Sequence, residues 1–307
     1  MSITSLIGPM NGHVPGPRVA ARTPEGWVEE PYRRCVVAPM TPLIGAEVEG
    51  VSLADPLDDE LFAELNRALL EWKVLFFRGQ DIDPAQHAAF AAHWGPLESH
   101  PFYTSVTGQD EGIAEVVRFE KDDEVVGFEN LWHSDVSWRA EPSLGSVLRA
   151  IEVPELGGDT LWADMAAAYD RLTDEMKDHL EGKVALHDWL PNFGLAMEPA
   201  QREELRPHFP AVEHPVVRTH PETGRKTLYV NRIFTQHIVG LEPAESEELL
   251  AFLCDQAAFP EYQCRHRWAV GDVAFWDNRA TQHYASSDYW PARRVMERIT
   301  VIGDRPV

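Results

Sequence analysis

The chain has 307 residues, 44% of them hydrophobic and 25% charged, with 50 acidic against 27 basic side chains and a formal net charge of −23. A surface this acidic repels phosphate backbones and anionic headgroups, which argues against a broad nucleic-acid footprint or peripheral membrane binding. No run approaches the roughly 18 consecutive apolar residues that a membrane-spanning helix needs, so no bilayer crossing is predicted.

Residues 1–33 are rich in Pro, Gly and polar groups without a period, and they read as an irregular N-terminal arm. Their first segment, MSITSLIGPMNGHVPGPR, has no basic stretch followed by an apolar run, so no secretory signal is expected. Three cysteines, Cys35, Cys254 and Cys264, lack metal-type spacing and are too few for a disulfide framework. Both features predict a cytoplasmic protein. Residues 34–307 show no second linker or internal repeat, and they are expected to form a single domain.

Along that domain, Leu57, Leu61, Phe62, Leu65, Leu69 and Leu70 recur at helical spacing. Asp83 followed by Pro84 opens a second predicted helix, closed by Gly95. Thr173 begins a third that runs to about Leu180, and a fourth covers about 244–253. Short strands are predicted at 74–77, 146–151, 184–187, 216–219, 227–230, 273–276 and 298–302. Pro221-Glu222-Thr223-Gly224 supplies a hairpin turn between two of them. Strands do not alternate regularly with helices, so the expected class is mixed α+β and mainly β, a sandwich or barrel with helical insertions.

Three segments carry chemistry. In LWHSDVSW, His133 and Asp135 lie two residues apart, which on a strand would point both to one face. His283, in FWDNRATQHYA, could complete a triad of two imidazoles and one carboxylate, the donor set of open-sited Fe(II) enzymes. It is one of 13 histidines, so spacing alone does not select it. The third segment is RRVMERITVIGD. If 294–302 is a strand, Arg294, Met296, Arg298 and Thr300 face one way. Two inward guanidinium forks carry a desolvation cost unless they meet anions; the competing reading is a surface ladder paired with the abundant carboxylates.

Taken together, WHSDVSW, GGDTLWADM, HPVVRTHPETGRKTLYVN, WDNRATQHYA and RRVMERITVIGD resemble the Fe(II)/2-oxoglutarate dioxygenases of the taurine dioxygenase family, in their order and spacing over about 36–306. The resemblance implies a double-stranded β-helix (jelly-roll) core, with His133, Asp135 and His283 as ligands of Fe(II). It implies Arg294 and Thr160 as the residues holding 2-oxoglutarate. For the substrate it implies His100, Tyr103, Phe193, Phe234 and Arg298, with Trp138 in place of a phenylalanine. Glu129 stands where the taurine enzymes have an Asn, and Asn192 where they have a Ser, both at the end that holds the substrate amine; a one-residue loop shift would put Asn130 there instead. The Asp277, Asn278 and Arg279 run reads as support for the strand carrying His283, and His187, His214 and His220 as structural histidines.

The implied activity uses O2 to hydroxylate a small anionic organic substrate, foremost a sulfonate such as taurine, releasing sulfite and an aldehyde with succinate and CO2. Alternatives within the class are an alkyl sulfate ester, an aryloxyalkanoate or another small carboxylic acid. From other classes, a metal-dependent hydrolase or a non-catalytic binding protein could use the same triad. The resemblance also implies a homo-oligomer, a dimer or tetramer.

Overall fold

Sequence and backbone geometry coincide well in the segment 58–77. Asp58 accepts the Leu61 N–H and caps the helix Asp59–Trp72, whose buried face carries Leu65, Ala68, Leu69 and Trp72. Lys73 closes it in the left-handed region (φ 64°), which turns the chain directly into strand β3, Val74–Phe77. The computed structural model describes residues 6, 20–100, 116–124 and 130–307. Between 20 and 33 there is no helix or strand, but the segment packs on the body. There Arg22 pairs with Glu71 at 2.8 Å and lies over Trp72, and Tyr32 donates to Glu71 at 2.7 Å.

The largest sheet has seven strands in the order β1-β2-β3-β13-β5-β15-β4. These are β1 (Val36–Pro39), β2 (Ala46–Glu49), β3, β4 (Val117–Lys121), β5 (Ser143–Glu152), β13 (Val273–Asp277) and β15 (Arg294–Ile302). All of its pairings are antiparallel except β2 with β3. A three-stranded sheet, β12-β6-β14, comprises Gln263–His266, Thr160–Asp164 and Thr281–Ala285. A second three-stranded sheet joins β11 (Thr235–Ile238), β7 (Val184–His187) and β8 (Val212–Pro215). β9 (Val217–Thr219) and β10 (Lys226–Leu228) form the expected hairpin. His220 ties its turn: its Nδ1 accepts the Glu222 and Thr223 N–H groups, and its Nε2 meets Asp277 at 2.9 Å.

Alternation sorts the seven-stranded sheet into two faces. Leu75, Phe77, Val273, Phe275, Ile299 and Val301 pack against the helix Asp59–Trp72 and the helix Pro84–Ala91. Val74, Phe76, Ala274, Trp276, Ala150 and Met296 instead pack with Trp162 and Cys264 of the small sheet. Both faces of β3 and β13 are therefore covered, which is why these strands read as unbroken apolar runs rather than alternating ones. Arg294 and Arg298 share the Met296 face and so point between the two sheets.

The predicted helices are present at Asp59–Trp72, Pro84–Ala91, Asp174–Leu180 and Pro243–Asp255. Three short ones, Met165–Asp170, Leu190–Phe193 and Pro199–Leu205, have too few turns to show a period. The first begins abruptly because Asp164 ends β6 and also accepts the Ala166 and Ala167 N–H groups. Among the described residues, no helix is long and apolar enough to cross a membrane.

Three structural histidines predict an acid-sensitive fold. His87 donates towards Val147 O (3.1 Å), His187 meets Ser137 Oγ (3.1 Å) and His214 meets Arg139 O (2.8 Å), all fully or nearly fully buried. Burial above all pushes His87 down to about 3 and His214 to about 4, and His187 well below 6.5. A histidine depressed in the folded state contributes stability that is complete above 6.5 and is lost as pH falls toward the folded value. For His87 alone the loss reaches roughly 2 kcal/mol by about pH 5. Thermal unfolding of the metal-free protein from neutral pH to about pH 5 checks this. A melting temperature that does not fall over that window contradicts the assignment of neutral buried imidazoles.

Candidate active site

His283 lies at the centre of β14, paired with Trp162 of β6. His133 joins it through an isolated antiparallel bridge, with backbone N–H to O distances of 3.1 and 2.8 Å in the two directions. The strand geometry expected for the His133-x-Asp135 pair stops at that bridge. Asp135 sits in a turn, held there by the left-handed backbone of Val136 (φ 46°) and by Ser134, whose hydroxyl donates to Thr281 O at 2.7 Å. Convergence therefore comes from the turn and not from a shared strand face. A β-branched residue at positive φ is a costly conformation, and its placement directly after a site carboxylate is characteristic of functional loops.

The three side chains nevertheless meet. Asp135 Oδ1 lies 4.0 Å from His133 Nε2 and 3.9 Å from His283 Nε2, and all three donor atoms fall within 4.8 Å of one another. His133 donates its Nδ1 proton to Leu131 O at 2.8 Å, which leaves the Nε2 lone pair facing the cluster. Asp135 is fixed on every side. Its Oδ2 accepts from Ser146 Oγ (2.7 Å), its Oδ1 from Arg298 Nη1 (2.6 Å), and its own N–H reaches Asn278 Oδ1 (3.3 Å). Asn278 is itself clamped by Trp276 Nε1 at 2.9 Å and by the hydroxyls of Ser143 and Ser146 at 3.0 and 3.1 Å.

Burial alone would raise the Asp135 carboxyl, but Arg298, His283 and His133 hold it well below its ordinary value. Burial, with His133 alongside, lowers His283 to about 3. The cluster is thus an ionised carboxylate beside a neutral imidazole, the protonation states a divalent metal requires. Two nitrogens and one carboxylate oxygen in a buried patch fit Fe(II) with coordination positions left for other ligands.

The second half of the site is a cavity beside the triad, lined by Lys121, His133, Thr160, His283, Arg294 and Arg298 among others. Behind Arg294, Gly157 and Gly158 form a turn at φ 81° and 72°, and Gly158 N–H donates to Asp288 at 2.8 Å. A Cβ on Gly158 would lie 3.2 Å from both Cδ and Nε of Arg294, so the glycine lets the arginine stem lie flat on the loop. Thr160 opens β6 beyond this turn, and its hydroxyl accepts from Trp268 Nε1 at 3.0 Å. Arg298 lies over Phe119, 4.9 Å from the ring centroid.

A model of the taurine catabolism dioxygenase TauD, TfdA family matches residues 37–300. The chain belongs to this family. It is 37% identical to the alkylsulfatase of Acinetobacter baylyi over 287 residues, which cover 91% of this chain and 88% of that one. It is 38% identical over 285 residues to the alpha-ketoglutarate-dependent 2,4-dichlorophenoxyacetate dioxygenase of Cupriavidus pinatubonensis, covering 89% and 99%. A crystal structure of a taurine dioxygenase from Burkholderia xenovorans superposes with a TM-score of 0.76 at 37% identity, covering 90% of this chain and 93% of that one. Like the rest of the TauD, TfdA family, the protein is an Fe(II)- and 2-oxoglutarate-dependent dioxygenase that consumes O2, which favours this reading over a metal-dependent hydrolase.

Other residues singled out from the sequence are placed as follows. His100 is buried, its ring 6.4 Å from Trp138 and 6.1 Å from Phe193; Phe193 stacks on Phe234 at 5.9 Å, and Phe234 lies 6.4 Å from His133. An aromatic cluster thus leads from the metal ligands outward. Burial, then Arg298 and Arg139, lowers His100 to about 3, so it is neutral at pH 7. Asn192 is exposed and donates to Ile233 O, and Asn130 is exposed. Tyr103 and Glu129 lie outside the described residues. Sequence reasoning missed Ser146, Lys121 and Trp268, because a lone Ser, Lys or Trp carries no pattern. Asn278, read as strand support, also bonds the Asp135 backbone.

The Gly158 geometry yields a sharp expectation. Gly158→Ala forces a Cβ against the Arg294 stem at a left-handed backbone position, at a cost of about 1 kcal/mol or more in stability. Displacing Arg294 should also raise the KM for 2-oxoglutarate while leaving the substrate KM near wild type. Unchanged co-substrate kinetics would show that the glycine does not position the arginine.

Proposed function

We propose that the protein hydroxylates a sulfonate, or the closely related alkyl sulfate, at the carbon next to the acid group. The observation that carries this reading is Arg298, a largely buried guanidinium that lines the cavity, bonds the iron-ligand candidate Asp135 and lies near enough to His100 to help hold that imidazole neutral. In this reading His133, Asp135 and His283 hold Fe(II), and Arg294 with Thr160 receives the distal carboxylate of 2-oxoglutarate. When bound, the iron supplies the oxidising chemistry, which converts O2 and 2-oxoglutarate to succinate and CO2 while inserting one oxygen into the substrate.

The chain's own residues do the rest. Arg298 meets the substrate's acid group bidentately, neutral His100 adds a hydrogen bond, and Trp138, Phe193 and Phe234 enclose the apolar part and exclude water. The family resemblance assigns Tyr103 and Glu129 to substrate binding as well. The carbon next to the acid group is thereby held beside the metal. A hydroxylated sulfonate carbon collapses to an aldehyde and sulfite, and a hydroxylated sulfate-ester carbon to an aldehyde and sulfate. The aromatic cluster supports a chain bulkier than taurine. Relatives acting on sulfate esters and on an aryloxyacetate support the anionic class.

We further infer a double-stranded β-helix, supported by the packing of the mainly antiparallel seven-stranded sheet on the antiparallel sheet β12-β6-β14, and a cytoplasmic homodimer or tetramer that binds no nucleic acid. Product analysis over alkylsulfonates, alkyl sulfates and aryloxyalkanoates tests the substrate. Sulfite or sulfate release with an equal amount of aldehyde is expected. Release of a phenol together with an equal amount of a 2-oxo acid would move the assignment to aryloxy acids, and a hydroxylated product without fragmentation would move it to plain carboxylates.

A further inference from the structure

The edge strand β4 and its neighbour β15 treat charge differently on their two faces. On the face of β4 and β15 that carries Val295 and Glu297, Arg118 lies directly opposite Glu297 and approaches it to 3.6 Å, and Arg293 pairs with Glu120. Opposite charges face one another, as cross-strand pairs ordinarily do. On the inward face the register places Arg294 opposite Lys121, Met296 opposite Phe119 and Arg298 opposite Val117. Arg294 and Lys121 are only 8% and 9% exposed, and both line the cavity beside the metal triad.

Directly opposed residues of an antiparallel pair have Cβ atoms about 4.5–5.5 Å apart, and like charges there are destabilising. The pairing therefore brings two cationic side chains from adjacent strands to one end of the cavity, where a single carboxylate can meet both. Lys121 is also at the correct end. Arg298 is four residues further along β15, about 13 Å from Arg294, so Lys121 faces the Arg294 end of the cavity and not the Arg298 end.

We infer that Lys121 is a second cationic ligand for the distal carboxylate of 2-oxoglutarate, forming with Arg294 and Thr160 a three-point clamp that selects dicarboxylic over monocarboxylic 2-oxo acids. This rests on the proposed role of Arg294. Lysine suits the position because its ammonium is a compact point charge that can meet an oxygen left by the planar guanidinium fork.

The test is binding of 2-oxoglutarate and of 2-oxobutyrate, which lacks the distal carboxylate, to Mn(II)-loaded protein without O2. Tryptophan fluorescence reports it, since Trp276 lines the cavity. For Lys121→Met, 2-oxoglutarate affinity should fall roughly tenfold or more, the scale of one charge-assisted hydrogen bond. Its affinity for 2-oxobutyrate should stay at the wild-type level, which also shows that the fold is intact. Lys121→Arg should recover most of the loss. Wild-type affinity for 2-oxoglutarate in Lys121→Met, or equal weakening of both acids with no recovery in Lys121→Arg, overturns the inference. Arg294→Met separates the two levels. If it loses 2-oxoglutarate selectively while Lys121→Met does not, only Lys121 is wrongly assigned; if it does not, the proposed Arg294 site fails.

Discussion

Asp135→Ala is expected to eliminate stoichiometric iron binding and to reduce turnover by more than a thousandfold. Changing a group that merely supports a metal ligand costs about 10–100-fold in affinity or activity, and Asp135 is the only carboxylate among the three clustered donors. The two imidazoles that remain offer no anionic donor to a divalent ion. The substitution also strips Arg298 of its 2.6 Å partner, so some stability is lost as well. Asp135→Asn keeps the shape, can still accept from Arg298 through its one amide oxygen while its NH2 turns to donate to the Ser146 hydroxyl, and separates the two effects: it should fold and still lose iron. Metal content after anaerobic reconstitution, read beside the unfolding temperature, checks this. A variant that binds one equivalent of iron would remove Asp135 from the metal site.

Arg298→Met should raise the substrate KM by roughly 10–150-fold, the range of a charge-assisted contact of about 1.5–3 kcal/mol. Methionine keeps an apolar stem against Phe119 while deleting the guanidinium, so packing changes little. A second consequence is specific to this geometry. Arg298 is the foremost of the neighbours that lower the Asp135 carboxyl against the opposing effect of burial. Removing it lets that carboxyl rise, so iron affinity should weaken at acidic pH in the variant. Lysine is not a conservative replacement, because one ammonium cannot reproduce the fork that spans Asp135 and the substrate's acid group. The KM for 2-oxoglutarate should change little, since Arg294 is about 13 Å away along the strand. Steady-state kinetics that vary each substrate separately distinguish these outcomes. An unchanged substrate KM would relocate the acid-binding site.

Much of this was legible in the sequence because the relevant signals are local. The Asp83-Pro84 start, the Pro221–Gly224 turn and the period-2 run from Arg294 to Ile302 each depend on neighbours within a few residues, and each appears where expected. That Arg294 and Arg298 share a face followed from that period alone; that the face is the one turned to the cavity came from the packing of the two sheets. The Asp135 conformation was not legible. A two-residue spacing suggests a strand, whereas the chain leaves its strand geometry after His133 through a left-handed Val136 that no propensity favours. The supporting shell was equally hidden. Ser146, Asn278 and Asp135 are brought together by pairing of β5 with β13 and by the turn after His133, with Asn278 143 and 132 residues from Asp135 and Ser146. Lys121 acquires meaning only from its register opposite Arg294. The net charge of −23 describes the exterior, while the interior cavity is lined by Lys121, Arg294 and Arg298.

The most direct measurement is O2 uptake by the iron-loaded enzyme with 2-oxoglutarate, following succinate and substrate product together. Uptake should be stimulated by an alkylsulfonate or alkyl sulfate, with one succinate and one aldehyde formed per O2, and should cease when any of Fe(II), 2-oxoglutarate or O2 is withheld. Cleavage of the same compounds at full rate without O2 or 2-oxoglutarate would contradict the account and make the triad a hydrolytic metal site.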